Sequence, residues 1–126
     1  MKKTMMMMLA ALPVAGVLAI PVAHADDSWI ALAYSPSKGT TTIVSGRPSQ
    51  ADAESDAVSH CNSHAGVTDC VMAASSTNCV SIATDPNPSN NAVYAGGHGS
   101  TLAAADADAM SHARSGWTIE SHKCNS

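Results

Sequence analysis

The sequence predicts an α+β fold: two ββαβ repeats forming a mostly antiparallel sheet, with two helices packed against it and disulfides bracing the whole. Three observations predict it. Short β-branched or aromatic runs alternate with Gly/Pro turns, two Ala-rich stretches have helical periodicity, and the chain matches itself without gaps at a spacing of fifty-two residues. Sliding 30–61 onto 82–113 places Ile30-Ala31 on Ile82-Ala83, Pro36-Ser37 on Pro88-Ser89, and Asp56, Ala57, Ser59 and His60 on Asp108, Ala109, Ser111 and His112. Ala-rich helices match easily by accident, so the Pro-Ser pairs outside the helices carry the argument. The repeats run about 29–78 and 79–124.

The chain opens with Lys2 and Lys3, continues through an uncharged apolar run from Met5 to Ile20, and reaches Pro21 and the small-residue pattern Ala23-His24-Ala25. Residues 1–25 read as a secretory signal peptide, leaving one small exported domain, 26–126. The run is shorter than the roughly twenty residues a bilayer-spanning helix needs. There is no Arg-Arg pair, and no Cys at the cleavage point to carry a lipid. The expected location is secreted or extracytoplasmic, in the medium or the cell envelope, with no stable membrane insertion.

In the first repeat, Trp29, Ile30, Leu32 and Tyr34 mark a strand that leads into a turn at Ser35–Gly39. Thr40–Ser45 is β-branched and reads as a second strand, closed by a turn at Gly46–Pro48. Ser49 is a natural helix cap with Asp52 three residues on. Ala53, Ala57, Val58 and Cys61 then share one helical face, and Asp69–Ala74 is a third strand. The second repeat gives strands at Cys79–Thr84 and Ala92–Gly96, a helix at Thr101–Ala113 with Ala105, Ala109 and Met110 inward, and a strand at Trp117–His122.

From Asp26 onward the chain has four basic against ten acidic side chains, so nucleic acid and anionic lipid are not expected partners. Its apolar content is mostly Ala and Val, there is no Phe, and Trp29, Tyr34, Tyr94 and Trp117 are the aromatic residues. Such a core buries little area for its length, and four cysteines offer compensation in an oxidising compartment. They allow three connectivities. Cys61 falls on Ala113, and where Cys70 opens the strand after the helix Thr118 opens the matching one, a joint absence that favours a Cys61–Cys70 bridge and leaves Cys79–Cys124.

Several segments together resemble a known family. They are Trp29-Ile-Ala-Leu-Ala-Tyr-Ser-Pro-Ser-Lys-Gly39, the Ala-rich helix ending at Cys61, Asp69-Cys70-Val71, Asn78-Cys79-Val80-Ser-Ile-Ala83 and Cys124-Asn125. In order and spacing they resemble domain of unknown function 4189, found in small exported bacterial proteins, notably of mycobacteria and related actinobacteria. The resemblance implies export and paired cysteines and brings no activity or catalytic residues. Many members carry Cys in the second half where this chain has Ala113 and Thr118.

Histidine is the residue most open to a chemical role. His60 and His64 are four apart, as two metal ligands on one helix would be. Asn62, Ser63 and Gly66 suggest that the helix is ending there, where a His is favoured by the helix dipole alone. A pseudo-twofold arrangement would bring His60 towards His112, with His122 nearby, as a metal candidate. Gly96-Gly97-His98-Gly99 reads as a turn, lacking the Lys of a phosphate loop. The oxygen-bearing side chains from Asp85 to Asn91 read as a solvated turn rather than a calcium loop. Asp52/Asp56 and Asp106/Asp108 lie on helix faces expected to be exposed, and no Gly-x-Ser-x-Gly elbow occurs. No cofactor is expected. The reading is a non-enzymatic exported module that binds an unidentified protein or envelope component through the sheet surface around Trp29 and Tyr34. The alternative is a small hydrolase or metal-binding protein using His60 and His112.

Overall fold

The computed structural model describes residues 28–125, so the expected signal peptide lies outside the described residues. Strand β1 (Trp29–Ser35) is the centre of a three-stranded antiparallel sheet, flanked by β2 (Thr40–Arg47) and β3 (Val71–Ser76). Helix α1 (Gln50–Ala65) connects β2 to β3. The second half repeats the order: β4 (Cys79–Thr84) is central, between β5 (Tyr94–Gly99) and β6 (Thr118–Cys124), and α2 (Leu102–His112) connects β5 to β6. The ββαβ pattern therefore occurs twice, as the sequence predicts. The six strands form two sheets of three, not one continuous sheet.

Alternation of side-chain size in the central strands explains the layering. Ile30, Leu32 and Tyr34 point to one face of β1 and meet Val80 and Ile82 of β4, so the two sheets stack on their large residues. The intervening small residues, Ala31 and Ala33, point the other way and pack on Ala53, Ala57 and Cys61 of α1. In the second half Ala83 and Ala95 pack on Ala109 and Trp117. The order of layers is α1, first sheet, second sheet, α2. Both faces of each sheet are thus covered, and β1 from Ile30 to Ser35 and all of β4 are buried.

Glycine makes this stacking possible at the sheet junction. A Cβ on Gly96 would overlap the Ala73 carbonyl oxygen of β3 and stand 2.6 Å from its carbon. A Cβ on Gly97 would stand 2.6 Å from the Ala105 carbonyl of α2. Bare backbone at two successive positions of β5 lets one neighbour approach on each face. The segment expected to be a turn is therefore strand, and β5 begins at Tyr94 and not Ala92. So close a helix admits only Ala beneath it, and Met110, expected inward, lies 40% exposed at its flank.

The caps follow the sequence. Ser49 accepts the Asp52 N–H and Thr101 the Ala104 N–H, each at the start of its helix. Gly66 ends α1 in the left-handed conformation, φ 67°, its N–H returning to the Asn62 carbonyl. The disulfides are Cys61–Cys70 and Cys79–Cys124. They point to an oxidising, extracytoplasmic environment. Among the described residues no helix is long and apolar enough to cross a membrane.

Candidate functional site

Residues distant in sequence converge where the two halves meet. Trp29 opens β1, Ser75 and Ser76 close β3, Thr77 and Asn78 link the halves, and His98 and Gly99 end β5 just before Ser100. With Gln50, the first residue of α1, they line a groove of about 450 Å³. Hydroxyls, amides, one indole and one imidazole make up its side chains. Trp29 is half-buried and packs on the first helix–sheet core, while Asn78, His98 and Ser100 are exposed.

The chain next to this groove is tightly tied. The Asn125 amide nitrogen donates to the Ser28 carbonyl at 2.8 Å and to its hydroxyl at 2.9 Å, and its oxygen accepts the Gly46 N–H at 3.0 Å. The Asn125 backbone N–H donates to the Asn78 carbonyl at 2.6 Å. Beside it Cys79 and Cys124 are directly opposed on β4 and β6 and bridged. On the groove wall the Gln50 amide donates to Glu54 and Ser75, and the Ser75 hydroxyl donates to Glu54 at 2.8 Å. A groove held this way loses little conformational entropy when it is filled. A larger trough of about 790 Å³ runs along α1 beside Met72, but one helix flank forms most of its lining.

A second polar cluster lies between α2 and the second sheet. Asp106, expected to be exposed, accepts the hydroxyl of buried Ser81 at 2.7 Å and faces His122 Nδ1 at 2.9 and 3.1 Å. Since a carboxylate only accepts, Nδ1 is the donor in this contact, and among the described residues Nε2 has no hydrogen-bond partner. The carboxylate is the central member, and the Ser81 hydroxyl points to it and not to the histidine. An activated nucleophile needs the base in the middle. This cluster orients His122 and satisfies a buried hydroxyl.

At the opposite end, the β1–β2 turn is fastened to the start of β3. The Asp69 carboxylate accepts the Ser35 hydroxyl at 2.8 Å and the Ser37 N–H at 2.9 Å. Partial desolvation works to raise its pKa, but the bonds from Ser35 and Ser37 outweigh it and hold the carboxyl below its ordinary value. Asp85 is lowered as well, by the Asn87 N–H and the Asn90 side chain, which closes that segment as a turn. The Tyr34 hydroxyl donates to the Asn91 carbonyl at 2.9 Å. Burial, with the Glu120 charge second, raises its pKa.

Two expectations are corrected here. Tyr34 is 1% exposed because the sheet face that carries it is covered by the second sheet, so it serves the core and not an interface. His60 and His112 lie on helices at opposite outer layers with both sheets between them, so they share no site. His112 pairs instead with Asp108 at 3.5 Å and His122 with Asp106, while the His60 and His64 rings stand 5.9 Å apart, centroid to centroid. Of the residues expected from sequence at an interface, Trp29 is the one in the seam groove, and His98 and Gly99, read from sequence as part of a turn, also line it. Ser75 to Asn78 and His98 were not recognisable as groove residues, because only the stacking of the two sheets brings them together.

Comparison with known proteins gives these features a family. A model described as domain of unknown function (DUF4189) matches residues 29–125. The chain belongs to that family. Among solved structures, this DUF4189 chain is similar to the NMR structure of Rv1813c from Mycobacterium tuberculosis. The two are 30% identical, the match covers 79% of this chain and 76% of that one, and the TM-score is 0.58. No curated protein matches.

Proposed function

We propose that this DUF4189 protein is an exported binding module whose ligand, a protein or envelope component, occupies the seam groove. The observation that supports the reading is the convergence of Trp29, Gln50, Ser75–Asn78 and His98 from both halves into one groove, next to a segment held by Asn125 and the Cys79–Cys124 bridge. Trp29 supplies an amphipathic ring that gains contact area at low entropic cost, and the surrounding amides and hydroxyls supply direction. The lining suits a partner that presents hydroxyl and amide groups rather than phosphate.

The test is a titration of solubilised envelope fractions into isotope-labelled protein, read as amide shift changes. They should cluster at Trp29, Asn78 and His98, and His98→Ala together with Asn78→Ala should abolish them with the fold intact. Shifts centred elsewhere, or binding that survives both substitutions, would remove the seam from consideration.

A second reading, a small hydrolase, is favoured by one observation, the oriented His122, whose Nε2 has no hydrogen-bond partner among the described residues. Hydrolysis of a substrate panel that disappears in His122→Ala would establish it.

A further inference from the structure

We propose that His60 and His64 form a two-histidine site for a divalent transition ion, copper(II) or zinc(II), independent of the seam groove. The polar residues from Asn62 onward suggest, from sequence alone, a helix that ends before His64. Instead α1 is regular through Ala65, and only Gly66 turns out of it. His60 and His64 therefore stand one turn apart on one helix face, the arrangement in which two side chains meet above the same patch of backbone.

The ring geometry is close to that of a chelate. The centroids are 5.9 Å apart and the planes are tilted by 59°. Two imidazoles sharing one ion with metal–nitrogen distances of about 2.0–2.1 Å put their centroids roughly 5 Å apart, which a small rotation of exposed side chains achieves. Both residues are exposed. Among the described residues neither ring hydrogen-bonds to a side chain or pairs with a carboxylate, whereas His112 faces Asp108 and His122 faces Asp106. The His98 ring is also without such a partner but stands by itself on β5, so His60 and His64 are the adjacent pair open to an incoming ion.

The helix beneath them is fixed. Cys61, between the two histidines in sequence, is 1% exposed on the core side and bridged to Cys70, and the Asn62 side chain accepts the Cys70 N–H at 3.0 Å. The backbone spacing of the pair is thus set before any ion arrives, so little ordering cost attends binding. Asp56, one turn earlier, is held by Arg47 at 2.7 Å. With imidazole as the ligand, the hard cations calcium and magnesium are disfavoured and copper is preferred over zinc. Water completes the coordination, so the ion remains exchangeable.

The experiment is calorimetric titration of copper(II) chloride, then zinc(II) chloride, into the untagged full chain freed of metal. One ion per chain is expected, with copper tighter than zinc. His60→Ala and His64→Ala should each weaken copper binding by about tenfold or more, and His112→Ala should leave it unchanged. Copper should broaden amide signals around residues 57–67 before any others. Both histidines are on the solvent side of α1, so the variants should keep the wild-type circular dichroism. No binding at micromolar ion, undiminished affinity in the double variant, or broadening centred on His122 or His112 would each overturn the assignment.

Discussion

Replacing Gly96 by Ala tests the stacking of the two sheets directly. The new methyl carbon would stand 2.6 Å from the Ala73 carbonyl carbon, where ordinary contact begins at 3.4 Å, so the strands must part by at least 0.8 Å. Both partners are backbone in paired strands, so no side-chain rotation relieves the overlap. A gap of about 0.5–1 Å forfeits a quarter to a half of each dispersion contact it opens, and here it opens the layer of Ile30, Leu32, Tyr34, Val80 and Ile82. Overpacking costs about 1–3 kcal/mol when neighbours can relax, so this position should cost about 3 kcal/mol. Gly46→Ala is the control: φ is 70° with nothing within 4 Å of the added carbon, which leaves only the left-handed penalty of about 1 kcal/mol. Urea unfolding followed by circular dichroism measures both. In heat unfolding, a domain of this size should lose roughly 12–24 °C for Gly96→Ala and roughly 4–8 °C for Gly46→Ala. A Gly96→Ala protein no less stable than the Gly46→Ala protein would refute the close approach of β3 and β5.

Loop length separates the two disulfides. Cys61–Cys70 spans 9 residues and Cys79–Cys124 spans 45, so chain entropy assigns them about 2.5 and about 4 kcal/mol. Paired Ala variants compared by urea midpoint should show the second pair as the larger loss, and the reverse order would reject the entropic account. Asp69 should contribute to acid stability. Its folded pKa is below the ordinary 3.8, so its contribution is complete above that value and is lost as pH falls through the lower folded one. Asp69→Asn should flatten the loss of urea midpoint between about pH 5 and pH 2, and an unchanged acid limb would contradict the role given to Ser35 and Ser37.

The helix N-caps and most strand runs were legible because each depends on a few neighbouring residues, whereas the first helix, read as ending at Cys61, runs on to Ala65. Ser49 and Thr101 fall on both helix starts, fifty-two residues apart, as the repeat implies. The layering was not legible as written. Ile30-Ala31-Leu32-Ala33-Tyr34 alternates large with small, which fits a strand covered on both faces, but alternation of size is easily read as a buried face and a free one. That is why Tyr34 looked like surface. Gly96 to Gly99 looked like a turn because glycine is rare inside strands, and the reason for it here is a neighbouring backbone that the local sequence does not contain. Asp106 looked solvated on helical periodicity alone, while its partners Ser81 and His122 come from strands β4 and β6.

The bonds from Asn125 to Ser28 and Gly46 can close only after the last strand is in place. A chain delivered N-terminus first, from a ribosome or a translocation pore, presents β1, β2, α1 and β3 long before β6 exists. That half is contiguous, and its loop-closure cost is small. Standing alone, however, it would show water the apolar face of Ile30 and Leu32, which packs on Val80 and Ile82 of the second sheet. A stalled or clipped chain therefore exposes a sticky half-molecule, and the final strand acts as the clasp that ends this vulnerable interval.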